Sequence, residues 1–248
     1  MGLESPILIV EKGVGKNKGQ LLAKSLNLKF QDLSNLSPKE NSAENQYYLV
    51  LGKERLYLKQ GLNKRFNPIY CDFDKWLSIR QKSNLLKCLK GLPPDCKVID
   101  GTAGFGKDSL ELAKVAKKVL LVERVPWMVA LLKDGIKLSL NGEAAHLINK
   151  LEVRHGNIED ILASSFTADV IYLDPMFPEK GHAKAKKGIQ ALRDLTEEID
   201  PVPILNLAMD KSKERVIVKR HNKSPFVSNL KPNFSIEGRV IRFDVYLV

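Results

Sequence analysis

Short apolar runs and longer amphipathic segments alternate along the chain from residue 97 onward. The runs are rich in β-branched residues, which is typical of buried strands, whereas apolar residues at every third or fourth position are typical of a helix that faces a core. The predicted order is strand 97–100, helix 107–117, strand 118–123, helix 126–140, strand 151–155, helix 157–164, strand 169–173, helical segments near 189–199 and 203–212, and strand 214–220. This alternation predicts a mostly parallel sheet with helices on both faces. About two further strands between Phe234 and Val248 would add an antiparallel edge.

The first 70 residues have a shorter pattern of their own. It predicts strand Ile7–Val10, helix 19–28, and a hairpin of strands Tyr47–Leu51 and 55–59 around a turn at 52–54. We therefore predict a small α/β unit over residues 1–70 and a larger domain over residues 71–248. Near the start of the larger domain, helical spacing over residues 74–90 ends at the Gly-Leu-Pro-Pro sequence 91–94, because glycine and proline stop helices.

Composition adds a large excess of positive charge to this picture. The 248 residues include 40 Lys and Arg against 29 Asp and Glu, a formal net charge of +11, and 44% of them are hydrophobic. The apolar share is sufficient for a substantial core, and the basic excess favours a polyanionic partner. Two basic clusters surround the ends of two consecutive strands: Lys180, Lys184, Lys186 and Lys187 in the first, and Lys211, Lys213, Arg215, Lys219, Arg220 and Lys223 in the second. We therefore predict a nucleic-acid partner, which the small N-terminal unit could help to dock.

Cysteine and histidine usage points away from disulfides and metals. Cys71, Cys88 and Cys96 lack the spacing of zinc or redox motifs, so we interpret them as reduced structural thiols of a cytoplasmic protein. The four histidines show no metal-ligand grouping, and we expect no metal. The apolar run at 6–10 is far too short to cross a membrane, which takes roughly 20 residues. We expect a monomer without a membrane partner.

A glycine-rich loop follows the strand at 97–100. Its sequence, Gly-Thr-Ala-Gly-Phe-Gly at 101–106, comes directly after Asp100 and before a predicted helix. Glycines in such a loop let the backbone approach a ligand closely. The spacing differs from the G-x-G-x-x-G of dinucleotide-binding loops, and an acid there would repel a pyrophosphate but attract the ammonium group of S-adenosylmethionine. Glu123, at the end of the next strand, is well placed to accept hydrogen bonds from two ribose hydroxyls.

A second motif follows the buried strand at 169–173. Its sequence is Asp-Pro-Met-Phe-Pro at 174–178, at the carboxyl end of a strand, where open α/β sheets bind ligands. The Asp174 carboxylate and the Pro175 carbonyl can accept the two N–H bonds of an amino group, while the Phe177 ring stacks on the heterocycle that carries it. The motif therefore predicts a site that methylates an exocyclic amine of a base.

Three other interpretations fit parts of the sequence. The glycines at 13–16 follow a strand but lack phosphate-loop spacing, so we interpret them as a simple turn. An NAD-dependent oxidoreductase would share Glu123, but the spacing of the glycine loop and the lack of a catalytic His or Tyr constellation argue against it. A non-catalytic RNA-binding module is disfavoured because the whole cofactor constellation is present in the sequence.

Together these motifs resemble class I S-adenosylmethionine-dependent methyltransferases, and most closely the bacterial ribosomal small-subunit methyltransferase J family. The segments that carry the resemblance are 100–108, 123–126 with 130–135, and 172–178. The resemblance covers residues 95–248, and the first 70 residues match weakly. It implies a Rossmann-like fold with a seven-stranded, mostly parallel sheet and an antiparallel terminal strand. It also implies S-adenosylmethionine as cofactor and the N2 amine of a guanine in 16S rRNA, free or in the small ribosomal subunit, as target. DNA adenine or another RNA position remains the alternative.

The resemblance assigns roles to individual residues. The expected cofactor contacts are Asp100, Gly101, Thr102, Gly104, Gly106, Lys107, Asp108, Glu123, Arg124, Asn157, Ile158 and Asp174. The expected catalytic residues are Asp174, Pro175 and Phe177, and the expected RNA contacts are Lys180, Lys184, Lys186, Lys187, Lys219 and Arg220. Two positions depart from the family pattern. Lys107 stands where arginine is usual, which replaces a fork of donors with a point charge, and Ile158 could contribute only through its backbone.

Overall fold

The computed structural model of the chain describes residues 5–33, 46–62, 67–79, 83–164, 167–175, 195 and 200–248. These residues form one sheet of three strands and one of seven. The strands are β1 Ile7–Val10, β2 Tyr47–Leu51, β3 Leu56–Gln60, β4 Lys97–Asp100, β5 Lys118–Glu123, β6 Leu151–His155, β7 Ala168–Leu173, β8 Ser212–His221, β9 Phe234–Glu237 and β10 Ile241–Leu247. The helices are α1 Lys16–Ser25, α2 Phe73–Ser78, α3 Asn84–Cys88, α4 Lys107–Ala113, α5 Pro126–Leu138, α6 Ala145–Ile148, α7 Ile158–Ala163 and α8 Pro201–Lys211, with 3₁₀ turns at Ser139–Asn141 and Val227–Asn229.

The larger sheet has the strand order β6-β5-β4-β7-β8-β10-β9. Strands β4 to β8 pair in parallel, and β10 runs antiparallel to β8 and β9. The chain winds outward from β4 to β6 and then returns to β7 on the other side, so the strand order reverses between β4 and β7. Ligands of open α/β sheets bind beside such a reversal, beyond the carboxyl ends of the strands. The predicted fold class is confirmed.

Side chains alternate between the two faces of this sheet and bury each face against helices. Tyr172 and Ile217 point into the core that contains α4 and α5, whereas Ile171 and Val218 point into the core that contains α7 and α8. Since successive residues of a strand point to opposite faces, both faces of the central strands are apolar. The three layers leave the strand ends as the place where polar side chains can gather.

The three-stranded sheet packs on helix α5. Strand β1 pairs with β2 in parallel through α1, and β2 pairs with β3 in the predicted hairpin. Leu49 and Leu58 belong to the same apolar core as α5. The Leu56 N–H donates to the Asp134 carboxylate of α5 at 2.9 Å. The small N-terminal sheet and the large sheet therefore share one continuous core.

The structure corrects the helix predicted over residues 74–90. Two shorter helices, α2 and α3, lie there, and side chains of Asp72 and Ser83 accept the N–H groups that begin each of them. Ile79, directly after α2, is extended, with ψ at 101°. A capping side chain favours a helix start over a helix interior. The amphipathic spacing predicted one helix because it runs through the break.

The other differences are smaller. Helix α4 ends at Ala113 rather than at 117, and α6 was not predicted. Residues 13–15 form the predicted turn, with Gly13 at a φ of 91°, and α1 begins at Lys16 and ends at Ser25 rather than spanning the predicted 19–28. The predicted segment at 189–199 lies outside the described residues except for Leu195. Within the described ranges, no helix combines the length and apolar character that a bilayer crossing requires.

Candidate active site

Hydrogen bonds join the glycine loop after β4 to the residue after β7. The Gly101 N–H donates to the Tyr172 carbonyl at 2.9 Å, and the Asp174 N–H donates to the Thr102 hydroxyl at 2.6 Å. Asp100 pairs in register with Tyr172, so Asp100 and Asp174 leave neighbouring strands at the same edge of the sheet. The structure thus brings the two sequence motifs together at the reversal of strand order.

Glycines shape this loop where side chains would block it. Gly104 and Gly106 have φ of 53° and 78°, in the left-handed region that favours glycine. A Cβ on Gly101 would lie 2.8 Å from Leu173 Cδ2 and 2.9 Å from Ile158 Cγ1. Ile158 is 3% exposed, so it contributes an apolar wall against the loop. The loop therefore offers bare backbone to a ligand that lies over the strand ends.

Asp100 is a buried carboxyl group at the end of β4. It is 1% exposed, accepts the Thr102 N–H at 3.2 Å and accepts the Ser109 hydroxyl at 2.5 Å. Burial raises the pKa of Asp100 to about 7, and the nearby Asp108 and Asp174 carboxylates add to the shift, although the two hydrogen bonds oppose it. A bound cation would favour the ionised form of this group.

Glu123 ends β5 and holds the glycine loop from the other side. Its two carboxylate oxygens accept the N–H groups of Gly104 and Val125, each at 2.9 Å. Burial raises the pKa of Glu123, and the same two backbone N–H groups oppose the shift. Each oxygen can accept more than one hydrogen bond. Glu123 can therefore order the loop and still accept from a ligand hydroxyl.

We call the space beyond the carboxyl ends of β4, β7 and β8 the cleft. An ion-pair cluster of Asp108, Asp174 and Lys219 lies there, which we call the cleft cluster. The Lys219 ammonium lies 2.7 Å from Asp108 Oδ2 and 2.8 Å from Asp174 Oδ2. The Tyr172 hydroxyl donates to Asp108 Oδ2 at 2.6 Å. The side chains of Asp108 and Asp174 remain 29% and 39% exposed. The Lys219 ammonium is thus the shared counterion of two carboxylates that remain partly exposed at the cleft surface.

Protonation within the cleft cluster follows from these contacts. Burial alone would lower the pKa of Lys219, but the Asp174 and Asp108 carboxylates outweigh it and raise that pKa above its ordinary value. Burial would raise the pKa of Asp108, but the Lys219 ammonium and the Tyr172 hydroxyl hold that pKa below its ordinary value. Lys219 and Asp108 are therefore both ionised at neutral pH.

The other expected site residues lie around this centre. Lys107 is exposed at the start of α4, Arg124 is half-buried after β5, and Pro175 is buried after Asp174. Asn157 is the exposed N-cap of α7 and donates to Asp160 at 3.4 Å. The remaining expected residues, Phe177, Lys180, Lys184, Lys186 and Lys187, lie outside the described residues.

Two expected RNA contacts on β8 are not where the sequence analysis had them. The Lys219 ammonium points into the cleft cluster instead of toward solvent. Arg220 is 6% exposed, and its guanidinium donates to the Pro225 carbonyl at 2.8 Å. A buried guanidinium cannot reach an RNA phosphate without leaving these contacts. The prediction of a surface role for these two residues therefore disagrees with the structure. Lys219 and Arg220 are consecutive residues of β8, so they point to opposite faces of the sheet, and both faces are covered by helices.

Tyr172 and Ser109 are site residues that sequence reasoning missed. Each orients one of the cleft acids: Tyr172 donates to Asp108, and Ser109 donates to Asp100. Strand pairing could have indicated the neighbour of Asp174, because β7 and β8 are consecutive strands and Leu173 pairs with Val218. The next residue after each is Asp174 and Lys219.

Comparison with known proteins supports the resemblance to methyltransferases that the sequence motifs indicated. Residues 32–248 match the model of a family described as "Putative SAM-dependent methyltransferase". A ribosomal RNA small subunit methyltransferase J of Nitrosococcus oceani is 35% identical over 228 residues, which cover 86% of this chain and 88% of that protein. The protein of the same name from Pseudomonas aeruginosa is 31% identical over 216 residues, 82% of this chain and 83% of that protein.

A third relative matches a shorter part of the chain, and one solved structure matches nearly all of it. The ribosomal RNA small subunit methyltransferase J of Colwellia psychrerythraea is 39% identical over 153 residues, but the match spans only 60% of this chain and 56% of that protein. The crystal structure of a SAM-dependent methyltransferase from Neisseria gonorrhoeae superposes with a TM-score of 0.66 at 23% identity, over 97% of this chain and 96% of that one. The latter likeness shows that the two proteins share a fold.

The strand order, the glycine loop at its reversal and the family match define a class I S-adenosylmethionine-dependent methyltransferase. Within that class, the chain belongs to the ribosomal RNA small subunit methyltransferase J family. S-adenosylmethionine is its cofactor.

The residues of the cleft fit this cofactor. A Cβ on Gly101 would meet the buried Leu173 and Ile158 side chains, so glycine lets the loop lie close to the space over the strand ends, where a nucleoside lies in folds of this kind. The acceptors around that space are carboxylates of Asp100, Glu123 and Asp174, and the first two are at most 9% exposed. Carboxylates suit a ligand that carries an ammonium, a sulfonium and ribose hydroxyls, and they would repel a phosphate.

Proposed function

We propose that the chain methylates the exocyclic N2 amine of one guanine in 16S rRNA, either as free RNA or within the small ribosomal subunit. The observation that carries this proposal is the Asp174 carboxylate, which directly follows β7, is 39% exposed and is tied to the glycine loop through Thr102. An acid in that position suits an amine acceptor. The names of the relatives favour ribosomal RNA of the small subunit.

We assign the cofactor to the space above the glycine loop. S-adenosylmethionine, when bound, supplies an electrophilic methyl group on a positively charged sulfur. In our assignment Glu123 accepts hydrogen bonds from the ribose, and Asp100 and the loop backbone line the methionine side. The residues assigned to the same ligand are Gly101, Thr102, Gly104, Gly106, Lys107, Asp108, Arg124, Asn157 and Ile158.

The guanine amine needs help because its lone pair is delocalised into the ring. In our proposal the Asp174 carboxylate and the Pro175 carbonyl accept its two N–H bonds and hold the nitrogen out of conjugation. Positive charge that develops on the nitrogen is then stabilised by a carboxylate already in place, which is often the largest contribution to catalysis. The nitrogen would gain one bond to the methyl carbon as the carbon–sulfur bond breaks, with the electron pair left on sulfur to give S-adenosylhomocysteine, and it would give up one proton, to Asp174 or to water.

RNA recognition in this proposal relies on residues that follow Asp174 in the sequence. A base inside a helix cannot reach the acid, so the guanine must be unstacked or already single-stranded. Phe177 then stacks on the base, a contact worth roughly 1–3 kcal/mol. Lys180, Lys184, Lys186 and Lys187 neutralise phosphates, which predicts strong salt dependence of binding. We assign a docking role to the small unit at residues 1–70.

Transfer of tritium from labelled S-adenosylmethionine tests the substrate directly. Purified protein is incubated with naked 16S rRNA, with small subunits from cells that lack the protein, and with adenine-containing DNA. We expect label in 16S rRNA, free or assembled, and mass mapping should locate it on the N2 amine of a single guanine. Label in DNA alone, or on a ring nitrogen of RNA, would contradict the proposal and favour a different amine methyltransferase.

A further inference from the structure

Lys219 is held on two sides inside the cleft. Its ammonium contacts Asp174 Oδ2 at 2.8 Å and Asp108 Oδ2 at 2.7 Å, and its side chain is 21% exposed. The Tyr172 hydroxyl donates to the same Asp108 oxygen at 2.6 Å. Asp108 is therefore fixed by two donors, and through Lys219 it fixes the neighbouring Asp174. A phosphate of RNA would have to compete with two carboxylates for this ammonium.

Acidic side chains outnumber basic ones in this part of the cleft. The titratable or charged groups that face the two carboxylates are Asp100 from β4, Lys107 from α4, Tyr172 from β7 and Lys219 from β8. Among these, Lys219 is the cation in contact with both acids. Carboxylates that share a site without a counterion do not all remain ionised at neutral pH.

A role in stability alone gives a weak account of this lysine. Ile217, two residues earlier on the same face of β8, is fully buried in the apolar core, so an apolar residue at 219 would continue that pattern. Partly buried ion pairs add little net stability, because desolvation offsets the attraction between the charges. The arrangement makes sense if the position and the charge of Asp174 matter for the reaction.

We propose that Lys219 is a positioning residue for methyl transfer: anchored on Asp108, which the Tyr172 hydroxyl also holds, its ammonium keeps the Asp174 carboxylate ionised and turned toward the acceptor amine. This inference rests on the proposed function of Asp174 as the acceptor of amine N–H bonds. It replaces the RNA contact that the sequence analysis expected for Lys219. The lysine contacts neither the base nor the methyl donor in this account and acts through Asp174.

The test compares Lys219→Met and Lys219→Arg with the wild-type protein across pH. We expect Lys219→Met to lower kcat by about 10–100-fold, the usual result of removing a group that orients a functional ligand. Without the ammonium the carboxylate becomes protonated at higher pH, so the acidic limb of the kcat profile should move upward by about 1–3 pH units. Lys219→Arg keeps the charge and should keep the position of that limb. Removing a positive charge should leave KM for the cationic cofactor unchanged or lower it.

Lys118→Met is the matched control, because Lys118 is exposed at the start of β5, the end of that strand remote from the site. It should have wild-type kcat and an unshifted profile. If Lys219→Met does not fold, Lys219→Gln keeps a neutral donor and takes its place. A kcat profile that is lower but parallel to that of the wild type would overturn the proposal, since a purely structural loss does not move the pH limb.

A second readout separates this inference from the proposed function. If the wild-type protein transfers no methyl group to any RNA, the proposed function is wrong, and the counterion role of Lys219 is then decided by thermal unfolding. Lys219 holds the pKa of Asp108 below its ordinary value, so its stabilising effect should be full above about pH 5 and should be lost as pH falls below about 4, the ordinary pKa of an aspartate. The difference in Tm between wild type and Lys219→Met should therefore grow with pH, and a constant difference would overturn the role.

Discussion

The large sheet carries two charged clusters that differ in how their charges are matched. The cleft cluster lies where β7 and β8 end, and its one ammonium serves two partly exposed carboxylates. The second, which we call the edge cluster, pairs Arg242 and Asp244 of β10. These two side chains are 4% and 0% exposed, and Arg242 Nε donates to Asp244 Oδ1 at 2.8 Å.

The edge cluster uses its donors within the protein. The other guanidinium nitrogens of Arg242 donate to three main-chain carbonyls, those of His221, Asn222 and Ser224, at 2.7–2.9 Å. The Ser235 hydroxyl also donates to Asp244, at 2.6 Å. These bonds fix the connection that leaves β8. In the cleft cluster, by contrast, one ammonium is shared by two carboxylates that are 29% and 39% exposed beside a strand-order reversal, which leaves capacity for a ligand. Exposure of the carboxylates, together with position on the sheet, thus distinguishes a structural ion pair from a candidate active site.

The largest expected effect comes from breaking the edge cluster. Arg242→Met leaves the Asp244 charge buried without its partner, which should lower the free energy of unfolding by about 3–5 kcal/mol. Methyl transfer per folded molecule should stay near the wild-type value. Urea unfolding followed by far-UV circular dichroism measures the loss. Replacing both members, with Arg242→Met and Asp244→Leu, should recover only the part that is due to the unpaired charge, because the three main-chain carbonyls still lose their donor. A loss below about 1 kcal/mol in the single variant would contradict a structural role.

Asp174→Ala should have the opposite signature. It removes the carboxylate that we assign to the amine, so methyl transfer should fall about 10²–10³-fold, or about 3–4 kcal/mol of barrier. Since Asp174 is 39% exposed, the free energy of unfolding should change little. Single-turnover tritium transfer measures the loss, and calorimetry with S-adenosylhomocysteine checks that the cofactor site remains. Near-normal turnover would rule out our assignment of Asp174.

Gly101→Ala tests the glycine loop next to the cleft cluster. The added Cβ would lie 2.8 Å from Leu173 Cδ2 and 2.9 Å from Ile158 Cγ1, and overpacking of this kind typically costs about 1–3 kcal/mol. We expect cofactor affinity to weaken by about tenfold or more, because a loss of about 1.4 kcal/mol corresponds to a tenfold change in Kd. Gly15→Ala is the control, because Gly15 has a φ of −63° and open space around it. Equal affinity in both variants would contradict a role in cofactor binding for the close packing at Gly101.

Asp100→Asn should have the smallest effect, and only pH reveals it. The folded pKa of Asp100 is raised to about 7, above the unfolded value, so the stability it contributes is present at low pH and is lost as pH rises through about 7. The variant lacks this loss. Its Tm relative to wild type should therefore increase between pH 5 and pH 8, by roughly 2–4 °C for each kcal/mol involved. Scanning calorimetry at several pH values measures the trend, and a Tm difference that is independent of pH would contradict it.

Much of the fold was predictable because periodicity and length suffice for it. The parallel strands β4 to β8 were all predicted, since apolar runs between amphipathic helices leave few other topologies. The break between α2 and α3 was not, because the same apolar spacing continues across it while Asp72 and Ser83 cap separate helices. Local hydrogen bonds of this kind compete with the helix and are hard to weigh without neighbours.

The site was predictable in outline and not in orientation. Asp100 and Asp174 were identified as strand-end acids, and the structure places them together. The directions of Lys219 and Arg220 were not predictable, because both faces of β8 are buried and alternation therefore does not tell which face meets α4. That choice depends on how β8 pairs with β7, where a slip by one residue would exchange the two side chains.

The shared core between the small sheet and α5 has a consequence for biosynthesis. The Leu56 N–H of β3 finds its acceptor, Asp134, 78 residues later in the sequence. At about 5–20 residues per second, the acceptor leaves the ribosome roughly 4–16 s after the donor. Until then the apolar face of the nascent hairpin that packs on α5 lacks that helix. The growing chain therefore passes through an interval in which this surface is open to chaperones, and its closure awaits the translation of the second half of the protein.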